Sequence, residues 1–338
     1  MRQSVLTAPH TIIYREAPEP AAGPGEVLVR IQRIGICGSD VHAYHGRHPF
    51  MHYPKVQGHE FSGLVVGLGD GVAGLPIGAK VTARPQITCG VCVPCRRGDY
   101  HICNNLKVFG FQTDGVGQDL FAVAADKLVL LPDSFTLEQG TLVEPAAVAV
   151  HATSRAGDMA ERNVVVLGAG PIGNLVAQMC RARGANVLIT DISDDRLRLA
   201  KDCALPAGSN AAIESLADAS SRFFGNAGFD IAFECAGAET TVSAAVDQLN
   251  KGGIIVIVAV FHQKPSLDLA VIGDRELRLI GTLMYRHEDY EEAVRRIESG
   301  DILTAPLESK HFPFEQWPAA YDYIDQQGPR TMKVFIDL

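Results

Sequence analysis

Apolar positions recur along this chain in two patterns. Up to about residue 140 they come in short runs broken by glycine and proline, as in "GEVLVRIQRIGIC", "FSGLVVGLGDGV", "GAKVTARP" and "DKLVLLPD". Such runs predict short strands joined by turns. Near Glu144 the character changes, and the alanine-rich "EPAAVAVHATSRA" has helical periodicity. The next segment, "NVVVLGAGPIGNLVAQMCRARGANVLITDISDDRLRLA", reads strand, glycine turn, helix, strand, turn, helix. "FDIAFECAG", "TTVSAAVDQLN", "GGIIVIVAV" and "LRLIGTL" continue the alternation. Apolar strands alternating with helices imply a parallel sheet covered on both faces. From about Tyr285 the pattern becomes a helix, "HEDYEEAVRRIESG", then short pieces ending in "MKVFIDL". The predicted fold class is α/β: a β-rich domain plus a doubly wound parallel-sheet domain.

Bulk properties narrow the function classes. A chain of 338 residues predicts two domains. With 47% hydrophobic and 20% charged residues, the composition is that of a globular protein. The net charge of -9, without a basic stripe, argues against nucleic acid as a partner. The longest apolar run, Ile254 to Val260 with Phe261 beyond, is too short to span a membrane. The N-terminal "MRQSVLTAPH" lacks a leader pattern, so a cytoplasmic, reducing location is expected. There, clustered cysteines bind metal more often than they form disulfides.

Cys89, Cys92, Cys95 and Cys103 follow a C-x2-C-x2-C-x7-C spacing. Four thiolates on tight turns suit one tetrahedral zinc, with Gly90 and Pro94 supplying the turns. A closed four-thiolate shell has no open position, so this lobe at 89–103 is expected to be structural. The alternative is a set of disulfide-bonded or simply buried thiols.

Gly168, Gly170 and Gly173 form G-x-G-x-x-G between a strand and a helix, with Pro171 and Ile172 in the turn. Asp191 ends the following strand, 18 residues beyond Gly173. This arrangement predicts a dinucleotide site: the helix N-terminus attracts the pyrophosphate and Asp191 accepts from the ribose hydroxyls. The charge of Asp191 would repel a 2'-phosphate and so favours NAD over NADP. Arg196 either flanks the adenine or is a solvated helix residue.

A second constellation lies in "GICGSDVH" and "QGHE". Cys37 and His59 are candidate zinc ligands, Glu60 adds a carboxylate, and Glu144 in "LVEPAA" is a further acidic candidate or a helix cap. Together with the cysteine lobe, "LVEP", "GAGPIG" and "ECAGAE", these motifs resemble the zinc-dependent medium-chain alcohol dehydrogenases along the whole chain, and within them the polyol and sugar dehydrogenases such as sorbitol dehydrogenase.

The resemblance implies a GroES-like catalytic domain from 1–144 and 285–338, a Rossmann NAD-binding domain from 145–284, and an active site in the cleft between them. It implies two Zn2+ per chain, one catalytic and one structural. Cys37 and His59 would hold the catalytic zinc, with either Glu60 or Glu144 as carboxylate ligand. A glutamate at Glu144, where classical alcohol dehydrogenases have cysteine, places the chain on the polyol side. Asp40 would orient His59, Ser39 would take the substrate proton, and His42 would pass it to solvent. A homodimer or homotetramer is also implied, with "GGIIVIVAV" pairing across a two-fold axis.

The loop "AYHGRHPFMHYPK" carries His45, Arg47, His48 and His52, and Arg84, Arg286 and His287 could join it. These cations favour a carboxylate-bearing polyol, a hexonate, as substrate. Neutral polyols, sugar phosphates and threonine are the alternatives, and a non-enzymatic NAD-binding protein is disfavoured by the intact relay and ligand set. A quinone reductase of the same superfamily is disfavoured because those relatives lack the zinc ligands. Phe109 and Gln112 are further candidates for lining the pocket. Cys180, Cys203 and Cys235 read as small buried hydrophobes.

Overall fold

The computed structural model describes all residues, 1–338. The chain divides into two compact units: Met1–Glu144 with Arg286–Glu298 and Glu308–Leu338, and Pro145–Tyr285 with Ser299–Leu307.

The first unit is built on the strand Glu26–Gly35. Its alternation buries Val27, Val29 and Ile31 while Arg30 faces out, the period-2 signature of a sheet with one face on a core. In a seven-stranded sheet it pairs antiparallel with Glu60–Leu68, Leu120–Ala124 and Lys333–Asp337. Phe61, Val65, Val123, Trp317 and Tyr321 close that core. The register matters for function. Gly35 pairs with Glu60 on one side and Phe335 on the other, and Ile36 N–H donates to Val334 O. One strand end therefore gathers Cys37, Glu60 and Lys333, which are remote in sequence.

The second unit carries a six-stranded parallel sheet. Its order is Gly208–Asn210, Asn186–Asp191, Asn163–Leu167, Ile231–Glu234, Ile254–Ile257, Arg278–Gly281. Counted along the chain this is 3-2-1-4-5-6, the doubly wound order whose direction reverses beside the first strand. Its core includes Val165, Leu188, Phe229, Ala232 and Ile255.

Three expectations need correction. The helix expected to begin near Glu144 runs Leu137–Ser154 and contains Pro145. Its start is fixed by a capping box, in which Thr136 Oγ1 accepts from Gln139 N–H and Gln139 Oε1 accepts from Thr136 N–H. Ser299–Leu307, expected with the first domain, groups with the second unit. There Arg181 Nη2 donates to Asp301 O and Gln178 bonds both backbone groups of Leu303. Finally, Ile254–Ile257 of "GGIIVIVAV" is paired on both sides and has no edge to offer a second copy; the edge strands are Gly208–Asn210 and Arg278–Gly281. No helix is long and apolar enough to cross a membrane.

Candidate active site and metal centres

In the cysteine lobe all four Sγ atoms lie within 4.8 Å of one another. Cys103 Sγ is 3.5 Å from Cys89 Sγ and 3.8 Å from Cys92 Sγ, far beyond the roughly 2.05 Å of a disulfide. A tetrahedral zinc with bonds of about 2.3 Å has edges of about 3.8 Å, so this quartet already has the spacing of a zinc shell. Backbone N–H groups point at the sulfurs: Cys89 N and Asn105 N each donate to Cys103 Sγ at 3.3 Å. The N–H groups of Val91 and Cys92 lower the Cys89 thiol to about 6. Desolvation and the neighbouring Cys92 and Cys103 push Cys95 up to about 12. The lobe thus favours thiolate at one ligand and resists crowding four charges together, a conflict a dication removes.

The second group is mixed, with His59 and Glu60 buried and Cys37 half-buried. One ligand atom each from Cys37, His59 and Glu60 lies within 4.8 Å of the others. Cys37 caps the helix Gly38–Tyr44, and its N–H donates to Asp40 Oδ2 at 3.0 Å. That contact fixes Asp40 so that its Oδ1 faces His59 Nδ1 at 3.6 Å. Both atoms are buried and neither has a hydrogen-bond partner. The pairing turns the other ring nitrogen of His59 toward the ligand group, as metal-binding histidines require. Burial opposes a charge on His59, but Asp40 and Cys37 outweigh it and hold the imidazolium well above its ordinary range. The pocket is therefore built for positive charge, and a soft thiolate, an imidazole and a carboxylate suit zinc. Ser39 and His42 sit three apart on the same short helix and so share a face.

Glu60 has a partner that the sequence did not announce. Lys333 Nζ donates to both of its carboxylate oxygens, at 2.5 and 2.6 Å, and both side chains are nearly inaccessible. Burial opposes the ammonium, but Glu60, Cys37 and Glu144 together raise its pKa. Gly35 makes room for the pair, since a Cβ there would fall 2.5 Å from Glu60 Oε2. Glu144 is buried nearby but does not join the three-residue ligand group. Nothing in "MKVFIDL" marks its lysine as part of a site; only the sheet register reveals it.

In the second unit, Gly168 adopts φ +100° and a Cβ on Gly173 would lie 1.9 Å from Gly168 O. The turn closes only with glycine at both places. Gly170 then caps the helix Pro171–Ala182, whose first turn carries Pro171, Ile172 and no acidic residue, leaving its N-terminal amides as an anion site. Asp191 Oδ2 accepts from Ala169 N–H at 2.7 Å and Oδ1 from Ser193 N–H at 2.9 Å. Asp191 thus braces the glycine loop as well as ending its strand. Arg196 Nη1 lies 3.6 Å from Asp191 Oδ2, which puts the arginine at the loop rather than in bulk solvent.

The expected cationic cluster does not assemble. His45 contacts Asp325 and His10. Arg84 donates to Asp126 O and lies over the Tyr100 ring. Arg286 pairs with Asp99 at the cysteine lobe, and His287 with Glu291. Arg47 and His52 are exposed. Phe109 packs on Phe121, and Gln112 Oε1 accepts from Val108 N–H. The Phe111 ring lies 5.3 Å from that of His59 and 4.4 Å from that of His48. Cys180 and Cys203 are fully buried with thiols pushed up by desolvation, and so is the thiol of Cys235.

Two family models match, the alcohol dehydrogenase GroES-like domain over residues 23–133 and the zinc-binding dehydrogenase over 171–299. The chain is 36% identical over 327 residues to 2-dehydro-3-deoxy-L-galactonate 5-dehydrogenase of Pseudoalteromonas atlantica, covering 96% of this chain and 95% of that one. It is 33% identical over 345 residues to sorbitol dehydrogenase 2 of Saccharomyces cerevisiae, covering 98% and 96%. Among solved structures, one from Sinorhizobium meliloti, described as a zinc-binding dehydrogenase bound to NADP, superposes with a TM-score of 0.93 at 29% identity, covering 100% and 99%. The chain belongs to the zinc-dependent medium-chain alcohol dehydrogenases, on their polyol dehydrogenase branch, and is a zinc- and nicotinamide-dependent oxidoreductase.

Proposed function

We propose that this enzyme interconverts a secondary alcohol of a hexonate and the corresponding ketone, with NAD as hydride acceptor. The observation that carries the chemistry is the Cys37–His59–Glu60 group with Asp40 behind the imidazole. Cys37, His59 and a carboxylate from Glu60 or Glu144 would hold the catalytic zinc, whose Lewis acidity lowers the pKa of a bound alcohol. Asp40 fixes the tautomer and orientation of His59. Ser39 accepts the hydroxyl proton and His42, one helical turn on, returns it to solvent. A nicotinamide cofactor held by the glycine loop and Asp191 would supply the hydride acceptor. Cys89, Cys92, Cys95 and Cys103 would hold a second zinc that stiffens the lobe.

NAD is preferred over NADP because Asp191 places a carboxylate at the end of the second strand, where a 2'-phosphate would meet like charge. The eight free cysteines favour a reducing compartment such as the cytoplasm. The edge strand Arg278–Gly281 is the place where a second copy would add its own strand, giving a homodimer or a tetramer of dimers. The sugar-acid reading draws on the similarity to the galactonate-derivative dehydrogenase; the yeast sorbitol dehydrogenase makes a neutral hexitol the second reading. NAD+ reduction with L-galactonate and with galactitol separates them. A kcat/KM for L-galactonate at least tenfold higher supports the hexonate, and the reverse order discards it.

A further inference from the structure

With the expected cluster dispersed among Asp325, Asp126, Asp99 and Glu291, a different group is left at the ligand pocket. The His48 ring lies almost parallel to Phe111, with centroids 4.4 Å apart and planes 10° apart. Phe111 is buried, and its ring is also 5.3 Å from that of His59. His48 is thus one aromatic layer away from a candidate zinc ligand. It is half-buried, and Asp40, His42 and His59 are the groups whose charge it feels. Its tautomer is also set. Phe50 N–H donates to His48 Nδ1 at 3.3 Å, so in the neutral ring the proton sits on Nε2. Burial lowers the pKa of His48 below its ordinary value, which keeps the ring neutral at neutral pH.

We propose that His48 is the specificity-determining residue of the catalytic pocket, its Nε2–H donating to the substrate carboxylate at the end remote from the reacting carbon. This rests on the hexonate reading and sharpens it: the carboxylate is read by one oriented hydrogen-bond donor held flat on Phe111, not by a cluster of cations. A neutral donor in a partly dry site still discriminates, because its bond to a carboxylate is charge-assisted and stronger than its bond to the terminal hydroxyl of a neutral polyol. The flat stacking matters because it removes ring rotation, so the direction of the donor is set before substrate arrives.

The test compares His48→Ala and His48→Gln with wild type on L-galactonate and galactitol, with zinc content and NAD+ affinity measured alongside. His48→Ala is expected to raise the L-galactonate KM about 10- to 100-fold with kcat changed less than about threefold. Its effect on the galactitol KM stays below about threefold, and both zincs are retained. His48→Gln keeps a neutral N–H donor at similar reach and is expected to recover most of the loss, which a purely structural role would not allow. Unchanged L-galactonate kinetics in His48→Ala, or equal losses on both substrates, overturn the proposal. A wild-type enzyme that prefers galactitol takes down the hexonate reading itself. Preference for L-galactonate together with an unaffected His48→Ala takes down the assignment of His48 alone.

Discussion

Two candidate metal-ligand groups of the first unit differ in almost every physical respect. The lobe draws its ligands from one fifteen-residue stretch, Cys89 to Cys103, all sulfur, with Cys103 buried and the other three half-buried. Its N–H···S contacts come from its own turns, so it is assembled by local chain alone. The other group draws Cys37 from one segment and the adjacent His59 and Glu60 from another, mixes sulfur, nitrogen and oxygen, and sets its two buried members, His59 and Glu60, against Asp40 and Lys333. A uniform closed shell suits permanence. A mixed shell whose carboxylate is already shared with an ammonium suits a ligand that can come and go. Structure and chemistry are thus divided within one unit by ligand type and by what competes for the ligands.

This contrast can be attacked at each point. The largest stability effect is expected from Cys103→Ser, whose sulfur contacts two other thiols and two backbone amides. Losing the lobe's metal should cost about 3–5 kcal/mol, or roughly 10 °C in Tm by calorimetry. A variant with wild-type Tm and one zinc fewer would show that the lobe is dispensable. Asp40→Asn comes next. It removes the charge that orients His59 and should weaken the buried zinc about 10- to 100-fold in chelator competition, leaving the lobe zinc unaffected. Equal weakening of both metals would deny that Asp40 acts on one centre. Lys333→Gln is the subtlest. It releases both Glu60 oxygens, and the buried zinc should leave to a chelator about three- to tenfold more slowly, because the carboxylate no longer has a rival partner. Faster loss would mean that Lys333 holds the centre together instead of competing for it.

Much of this was readable from sequence where information is local. The four-cysteine spacing, the glycine turn with Asp191, and Cys37 with Asp40 all sit within single turns or one βαβ unit, where chain geometry leaves few options. What escaped was set by sheet register. Lys333 reaches Glu60 because Lys333–Asp337 runs antiparallel to Glu26–Gly35, and no short-range pattern encodes that pairing. Phe111 lies beside His59 while Phe109, also buried, packs on Phe121, a division made within the turn at Val108 to Thr113. The cation-rich loop misled because charge was counted without its partners. Asp325, which faces His45, is remote from "HGRH" along the chain, so no short-range pattern shows that contact, whereas the His287–Glu291 pair is an i,i+4 spacing legible in "HEDYE". The capping box at Thr136 and Gln139, by contrast, was legible as T-x-x-Q and would have placed the helix start correctly.

The most direct test of the division between the two centres is a paired count of zinc and turnover in Cys37→Ser. The account predicts a protein with wild-type Tm, one zinc per chain in place of two, and NAD+ reduction lowered by about 10³-fold or more. Two retained zincs with turnover near wild type would contradict it, because the Cys37–His59–Glu60 group would then not be the catalytic metal centre.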